Sequence, residues 1–204
     1  MTKKFLKVKF LYRAFSYRFL RDRAEMRYLL KSVRKNDFVL DIGAYKGGYL
    51  YWLKSTVGKR GKVFAFEPQL ILHDYLKEVI NKCRYDNVSL FHAGVSSKNG
   101  TMQLFVPKEP GLTSPGATYE SRPNPSVGHF MEIKVHHLDS LLKDRKQKIT
   151  FIKMDVEGHE LDVFKGADRI SKEDRPKILF ECEKRHPFDK QIDDVFDHLK
   201  ELRI

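Results

Sequence analysis

The sequence is poor in cysteine and in long apolar runs. Two cysteines, Cys83 and Cys182, occur in 204 residues and have no spacing typical of a metal site, so a disulfide framework is excluded and a reducing compartment is favoured. No apolar run approaches the roughly 18 to 20 residues that span a bilayer. No signal peptide is visible, because lysine and arginine interrupt the apolar residues near the N-terminus. We therefore expect a cytoplasmic protein.

Acidic residues are scarce in one part of the chain. The formal net charge is +12, and residues 1–36 hold twelve lysines and arginines against only Asp22 and Glu25. The rest of the chain is nearly neutral, with 27 basic and 25 acidic side chains. The charge thus belongs to an N-terminal segment, residues 1–36, and not to the domain predicted for residues 37–204. Charge of this kind bears on partners rather than on the fold.

The N-terminal segment mixes aromatic and basic residues and is predicted to be helical. Its bases fall mostly, but not all, on one face of a helical wheel. One interpretation is a peripheral contact of residues 3–35 with an anionic membrane, at about 1 kcal/mol per basic residue near the surface. The alternative is a helix whose aromatic residues pack on the domain while its bases are solvated. The sequence leaves both open.

From residue 37 onward, apolar strands alternate with helical stretches. Strands are predicted at 38–42, 62–66, 88–92, 149–154 and 177–182, and helices at 48–57, 69–83, 159–165 and 189–202. Alternation of this kind indicates right-handed crossovers. The predicted fold is therefore α/β, with a doubly wound, mostly parallel sheet. Ligands of such sheets bind beyond the carboxyl ends of the strands, where the strand order switches.

Four of the five predicted strands end on a carboxylate. These residues are Asp41, Glu67, Asp155 and Glu181. Because the carboxyl ends of parallel strands meet at one edge of the sheet, we expect a ligand there with polar and cationic parts.

The turn after the first strand suggests which ligand. Its sequence DIGAYKG has the form D-x-G-x-x-x-G, and Tyr45 stands where a dinucleotide fingerprint has its second glycine, so a pyrophosphate would be crowded. Glu67 follows Gly43 by 24 residues, at the end of the next strand, where its carboxylate can accept two ribose hydroxyls. Adenosine with an amino-acid tail meets these demands, which predicts S-adenosylmethionine.

Several segments together resemble the FkbM-type methyltransferases, which are S-adenosylmethionine-dependent O-methyltransferases of the Rossmann-like class. The matching pieces are VLDIGAYKGGY, VFAFEPQ, NVSLFHAGVSSKNG, VHHLDSLL, ITFIKMDVEGHELDVFKGA and PKILFE. The chain departs from the family at Tyr45, where asparagine is usual, and at His137, where threonine is frequent. The family continues into antiparallel strands after the last helix, so we expect those C-terminal strands to be missing from these 204 residues.

The resemblance implies a set of cofactor contacts. The methionine part would be framed by residues of the glycine turn, and the adenine would lie beside Ala93, after the third strand. Glu67 would bind the ribose, Pro68 would shape the turn, and Asp155 would border the cofactor. The residues implied for the methionine part are Asp41, Gly43, Ala44, Tyr45 and Gly47.

The segment after the fourth strand holds the predicted catalytic residues. Methyl transfer to a hydroxyl needs an acceptor held about 3 to 3.5 Å from the methyl carbon, and a base that removes the proton. Asp155 is the first candidate, since period-two alternation places it with Lys153 on one side of the strand. Glu157 and His159 are the others. The alternative role for these carboxylates is to cap the following helix. No spacing requires a metal, and none is predicted.

Residues 106–130 carry five of the eight prolines and are predicted to form an irregular, lid-like loop. A disordered surface loop is the alternative.

The predicted function is O-methylation of a hydroxyl of a glycan, glycolipid or secondary metabolite. One alternative is an RNA methyltransferase, favoured by the sequence pI of about 9.6. However, the fourth strand is followed neither by an N/D-P-P-Y/F motif nor by a Pro-Cys nucleophile, so nucleic acid is not the expected partner. The other alternative is a non-catalytic module that binds the cofactor and tethers to a membrane or a partner. The sequence does not predict an oligomeric state.

Overall fold

Five parallel strands form the central sheet. The computed structural model describes residues 3–107, 128–181 and 191–202. In this sheet the strand order is β3-β2-β1-β7-β8, and every adjacent pair is parallel. The prediction of an α/β fold with a mostly parallel sheet is confirmed. The strands are β1 (Phe38–Ile42), β2 (Lys62–Phe66), β3 (Val88–Phe91), β7 (Ile149–Met154) and β8 (Lys177–Phe180).

The strand order places a topological switch at β1. Strand β1 pairs with β2 on one side and with β7 on the other, so the chain leaves the first half of the sheet and returns beside its first strand. The apolar residues of β1 and β7 are buried almost throughout, as expected for strands covered on both faces. A crevice opens beyond the carboxyl ends of these two strands, as in other doubly wound sheets.

The helices cover the two faces of this sheet. In α4 the buried residues Leu72, Leu76 and Val79 recur at helical spacing, which explains why this segment packs as an amphipathic helix. Helices α5 and α7 were not predicted. The helices after β1 are α3 (Gly48–Val57), α4 (Leu70–Cys83), α5 (Leu138–Leu141), α6 (Glu160–Lys165), α7 (Asp168–Asp174) and α8 (Gln191–Glu201).

A second, three-stranded sheet has the order β4-β6-β5. Its strands are β4 (Gly94–Val95), β5 (Gly100–Pro107) and β6 (Gly128–His136). The prediction of an irregular segment across 106–130 is wrong at both ends, because the antiparallel ladder continues to the pair Pro107 and Gly128. Gly128 permits this pairing, since any side chain there would overlap the ring of Phe105. Residues 108–127, on which the lid prediction rests, lie outside the described residues.

The N-terminal segment is helical and packs into the main core. It consists of α1 (Lys3–Ser16), a π-helical turn (Tyr17–Arg21) and α2 (Arg23–Ser32). Leu6, Phe10 and Ala14 of α1 are fully buried in the same cluster as residues of β1 and α3. The Trp52 indole Nε1 donates a hydrogen bond of 2.8 Å to the Ala14 carbonyl. One face of α1 is therefore part of the fold.

Two further observations concern the described residues. No strand follows β8 among them, and residues 191–201 form helix α8. None of the helices in these ranges has the length and apolar character that a bilayer crossing requires.

We predict that Phe10→Ala destabilises the whole domain by about 3 to 5 kcal/mol, because it leaves a cavity in the core. Tyr12→Ala on the same helix is the matched control, since the Tyr12 side chain is 72% exposed, and it should change the free energy of unfolding by less than about 0.5 kcal/mol. Urea denaturation measures both. Equal, small losses in the two variants would show that α1 is not part of the cooperative core.

Candidate active site

A pocket lies in the crevice beyond the carboxyl ends of β1, β2 and β7. Its wall is formed by the turn after β1, the turn after β2, the segment at β4 and the segment after β7. One residue of the N-terminal segment and one of β5 complete it. The lining residues are Tyr17, Ile42, Gly43, Tyr45, Phe66, Glu67, Pro68, Gln69, Ala93, Gly94, Val95, Leu104, Asp155, Val156 and Glu157.

The turn after β1 passes very close to the end of β7. Gly43 has φ +75°, and a side chain at this position would overlap the carbonyl oxygen of Asp155, so only glycine fits. The Gly43 and Ala44 amides both donate to the Phe66 carbonyl, at 3.1 and 3.0 Å. These bonds fix the turn between β2 and β7 and direct its backbone toward the pocket.

The buried carboxylate of Glu67 braces the same turn. Its Oε2 accepts a 2.8 Å bond from the Tyr45 amide, and its Oε1 accepts a 2.9 Å bond from the Gln69 amide. Burial raises the pKa of Glu67 to about 8, although these two backbone bonds oppose the shift. The ionised carboxylate has about four acceptor positions, so both oxygens retain acceptor capacity toward hydroxyl groups of a ligand, and such bonds would in turn favour the ionised form.

A buried ammonium connects the ends of β1 and β7. Lys153 Nζ donates to the Gly43 carbonyl at 3.0 Å and lies 3.9 Å from Asp41 Oδ1 and 3.7 Å from Asp155 Oδ2. Asp41 is fully buried, and neither of its carboxylate oxygens has a hydrogen-bond partner among the described residues. Burial therefore raises the pKa of Asp41 to about 6, while Lys153 opposes the rise and Asp155 adds to it.

The structure brings together seven of the eleven predicted site residues. Gly43, Tyr45, Glu67, Pro68, Ala93, Asp155 and Glu157 line the pocket. Asp41, in β1, and Ala44, in the glycine turn, are buried and are not among the lining residues. Gly47 borders the N-terminal helix, since a side chain there would overlap Phe10 and Leu76.

His159 does not line the pocket. It immediately precedes α6 and is buried, and its Nε2 lies 3.0 Å from Ser96 Oγ, with Nδ1 3.7 Å from Asp162. Burial lowers the pKa of His159, and Asp162 opposes this shift. Glu157 lines the pocket and has φ +52°, an uncommon backbone conformation that is often found at functional sites. Of the three predicted catalytic residues, Asp155 and Glu157 therefore share the pocket.

Several residues of the site, Tyr17 and Lys153 among them, were not predicted as site residues. Tyr17 reaches the pocket from the π-helical turn, and no sequence pattern distinguishes it from the other aromatic residues nearby. Lys153 was predicted only to lie beside Asp155. The presence of a lysine in the otherwise apolar strand sequence FIKM was the available signal for a site residue, because a buried lysine needs a charged partner.

A second cavity adjoins the first. Asp155 lines both, and the second is further bounded by α2 and the ends of β7 and β8. Its lining residues are Asp22, Glu25, Tyr49, Lys153, Met154, Asp155, Leu179, Phe180 and Glu181. Four of these are carboxylates and one is an ammonium, so the cavity is acidic. In the described ranges no group of three or more histidine, cysteine or acidic residues is arranged to hold a metal ion.

Comparison with known families agrees with this architecture. Residues 41–203 match the family described as the methyltransferase FkbM domain. The chain belongs to the FkbM methyltransferase family. The match begins at Asp41 and includes the glycine turn, Glu67, Asp155 and the second sheet. The resemblance stated from the sequence motifs is confirmed.

Two curated relatives are methyltransferases. This FkbM domain is 30% identical over 142 residues to the hexuronic acid methyltransferase AglP of Haloferax volcanii, a match that covers 69% of this chain and 54% of AglP. It is 26% identical over 167 residues to the methyltransferase sdnD of Sordaria araneosa, covering 69% of this chain and 64% of sdnD. The chain thus spans less than two thirds of the length of either relative.

Solved structures share the fold of this FkbM domain. Methyltransferase FkbM from Methylobacillus flagellatus KT superposes with a TM-score of 0.58 at 20% identity, covering 97% of this chain and 48% of that one. SMU.1697c, a putative methyltransferase from Streptococcus mutans in complex with SAH, gives a TM-score of 0.51 at 14% identity and covers 88% of this chain and 81% of its own. At these identities the likeness concerns the fold alone.

The buried Asp41 predicts a specific pH dependence of stability. Between its usual pKa of 3.8 and the folded value of about 6, the folded carboxyl keeps a proton that the unfolded chain has released. The contribution of Asp41 to stability therefore falls as the pH rises through this window and is constant above it. Asp41→Asn removes this titration, so its stability relative to the wild type should improve by about 2 kcal/mol between pH 4 and pH 7.

Urea unfolding of both proteins at the two pH values measures this difference. A difference between variant and wild type that stays the same at pH 4 and pH 7 would show that Asp41 is not titrating in this window.

Proposed function

We propose that this chain binds S-adenosylmethionine in the pocket and transfers its methyl group to a hydroxyl of a glycan, glycolipid or secondary metabolite. The observation that carries the proposal is the pairing of two features at the switch point of the sheet. One is the Gly43 turn, whose backbone faces the pocket. The other is the buried Glu67 carboxylate, which borders the same space. It accepts a hydrogen bond from the amide of Tyr45, a residue of the turn that lies 22 positions earlier in the chain.

The residues present fit this cofactor. Glu67 has acceptor capacity for two hydroxyls, as a ribose requires, and Ala93, Gly94 and Val95 provide a wall of small, mostly apolar residues for an adenine. Tyr45 narrows the turn, which suits an amino-acid tail better than a pyrophosphate. Carboxylates near the turn favour a cationic ligand. When bound, the cofactor would supply an electrophilic methyl group on a sulfonium.

Asp155 is the proposed base. It lines both cavities, so it borders the proposed cofactor pocket on one side and the space proposed for an acceptor on the other. Its side chain is 38% exposed and can accept a proton from an incoming hydroxyl. Lys153 Nζ, 3.7 Å away, restrains the carboxylate and holds the adjoining Gly43 turn. Glu157 is the second candidate for this role.

The acidic second cavity supports a sugar-like acceptor over a nucleic acid. Asp22, Glu25 and Glu181 line it together with Asp155. Carboxylates accept hydrogen bonds from hydroxyls but repel a phosphate backbone. The name of the relative AglP, a hexuronic acid methyltransferase, agrees with a sugar acceptor. For an acceptor that itself carries a carboxylate, Lys153 is the one cationic residue among the described residues that line this cavity.

Binding of the cofactor is tested by calorimetric titration with S-adenosylmethionine. We expect micromolar affinity for the wild type and a loss of at least about tenfold, or about 1.4 kcal/mol, in Glu67→Ala. Glu132→Ala is the matched control, because Glu132 is exposed on β6, away from the pocket. A folded wild type that does not bind, or a Glu67 variant that binds equally well, would contradict the proposed site.

Catalysis is tested by transfer of labelled methyl from S-adenosylmethionine to neutral hexoses and hexuronic acids. We expect Asp155→Asn to lower kcat by about 10²- to 10⁴-fold, because the proton acceptor is removed. His159→Gln should stay within a few-fold of the wild type, since His159 does not reach the pocket. Loss of turnover in Glu157→Gln but not in Asp155→Asn would assign the base to Glu157.

The same assay addresses the non-catalytic alternative. A chain that binds the cofactor yet transfers no methyl group to any acceptor tested would favour a binding module over an enzyme.

A further inference from the structure

Helix α1 exposes a second apolar stripe opposite the one that it buries. Leu6, Phe10 and Ala14 face the core with no exposed surface. At about 100° per residue, the residues at the complementary spacing i, i+3, i+7 and i+10 lie roughly on the opposite side. These are Phe5, Val8, Tyr12 and Phe15, which are 58%, 57%, 72% and 44% exposed.

The exposed stripe continues into the π-helical turn. Phe19 and Leu20 are 53% and 72% exposed, and the Phe15 and Phe19 rings stack with centroids 5.9 Å apart. Single exposed apolar residues are normal on a protein surface, but a contiguous row marks an interaction surface. We call these six residues the outer stripe: Phe5, Val8, Tyr12, Phe15, Phe19 and Leu20.

Basic residues flank the outer stripe. Lys7 and Lys9 of α1 and Arg21 of the turn are exposed, and the Arg18 guanidinium lies over the rings of Phe19 and Trp52, at 5.1 and 4.4 Å from their centroids. Helix α1 contains no acidic residue. Helix α1 therefore combines a row of exposed apolar residues with one sign of charge.

We propose that the outer stripe binds an anionic lipid membrane. Helix α1 lies in the plane of the interface, with the stripe at the boundary of the acyl chains and the bases at the phosphates. Aromatic and aliphatic residues on one face with lysine and arginine at its borders are the pattern of such interfacial helices. A second copy of the chain fits less well, because pairing two such surfaces would bring their basic residues together.

The inward packing of α1 makes this contact a rigid one. Since Leu6, Phe10 and Ala14 anchor the helix to the core, the outer stripe is already formed before a membrane is met, and no helix has to fold on binding. The Tyr17 ring, in the turn that carries Phe19 and Leu20, lines the candidate active site. The same helical turn therefore carries both the end of the outer stripe and a residue of the candidate active site.

The test is flotation of the full chain with vesicles of phosphatidylcholine alone and of phosphatidylcholine with about 30 mol% phosphatidylserine. We expect binding to the anionic vesicles to be at least about tenfold stronger and to weaken as salt is added. The variant Phe5→Ser/Tyr12→Ser/Phe19→Ser should lose at least about tenfold of this binding.

Matched controls use exposed residues elsewhere on the protein. Leu70, Phe130 and Phe196 are 49%, 50% and 49% exposed, and their combined replacement by serine should leave vesicle binding within about twofold of the wild type. A charge variant, Lys7→Glu/Lys9→Glu, keeps the outer stripe and should abolish the preference for anionic vesicles. Because these lysines are exposed, this variant remains informative if the serine variant does not fold.

Three results would overturn the proposal. One is equal binding of the wild type to neutral and anionic vesicles, or binding to neither. Another is vesicle binding that the outer-stripe and control variants retain equally. The third is a dimer in sedimentation equilibrium that the outer-stripe variant dissociates, which would assign the surface to a second copy of the chain.

Discussion

The site depends on one buried ammonium at the switch point of the sheet. Lys153 Nζ donates to the Gly43 carbonyl and lies within 4 Å of carboxylate oxygens of both Asp41 and Asp155. Asp41 and Lys153 are paired residues on neighbouring parallel strands, so the ion pair also fixes the register at which the two strands end. Without the ammonium, a fully buried Asp41 would have no counter-charge, and the glycine turn would lose its bond to β7.

The N-terminal segment completes the site from outside the parallel sheet. Phe10 packs where Gly47 has no side chain, and the Tyr17 ring packs in the same way on Gly48. The first glycine of the turn, Gly43, serves the approach to β7, whereas Gly47 and Gly48 serve the docking of this segment. The glycine motif, interpreted from the sequence as one ligand-binding loop, therefore has two structural roles: close approach to β7 and packing of the N-terminal segment. Because Tyr17 lines one cavity and Asp22 and Glu25 line the other, the segment contributes to both.

Much of the fold followed from local pattern, and the exceptions have a physical cause. Strands β1, β2 and β7 and helix α3 have the predicted bounds, since each is a short apolar run or amphipathic stretch bordered by turn residues. Helix α7 was missed because its N-terminus is capped from outside: the Asp139 carboxylate accepts bonds from the Arg169 and Ile170 amides, at 2.7 and 2.9 Å. The spacing of Glu67 from Gly43 predicted its place beside the turn. The position of Tyr17 in the pocket and the orientation of the His159 side chain depend on tertiary packing, which the spacing of residues in the sequence does not reveal.

The most direct test of the central claim is a crystal structure of this chain with S-adenosylhomocysteine. We expect the ribose hydroxyls on the Glu67 carboxylate, the amino-acid tail against the Gly43 turn and the adenine beside Ala93. Asp155 should then lie between the sulfur and the second cavity. A ligand bound elsewhere, or bound in this pocket with its ribose away from Glu67, would contradict the assignment of the cofactor site.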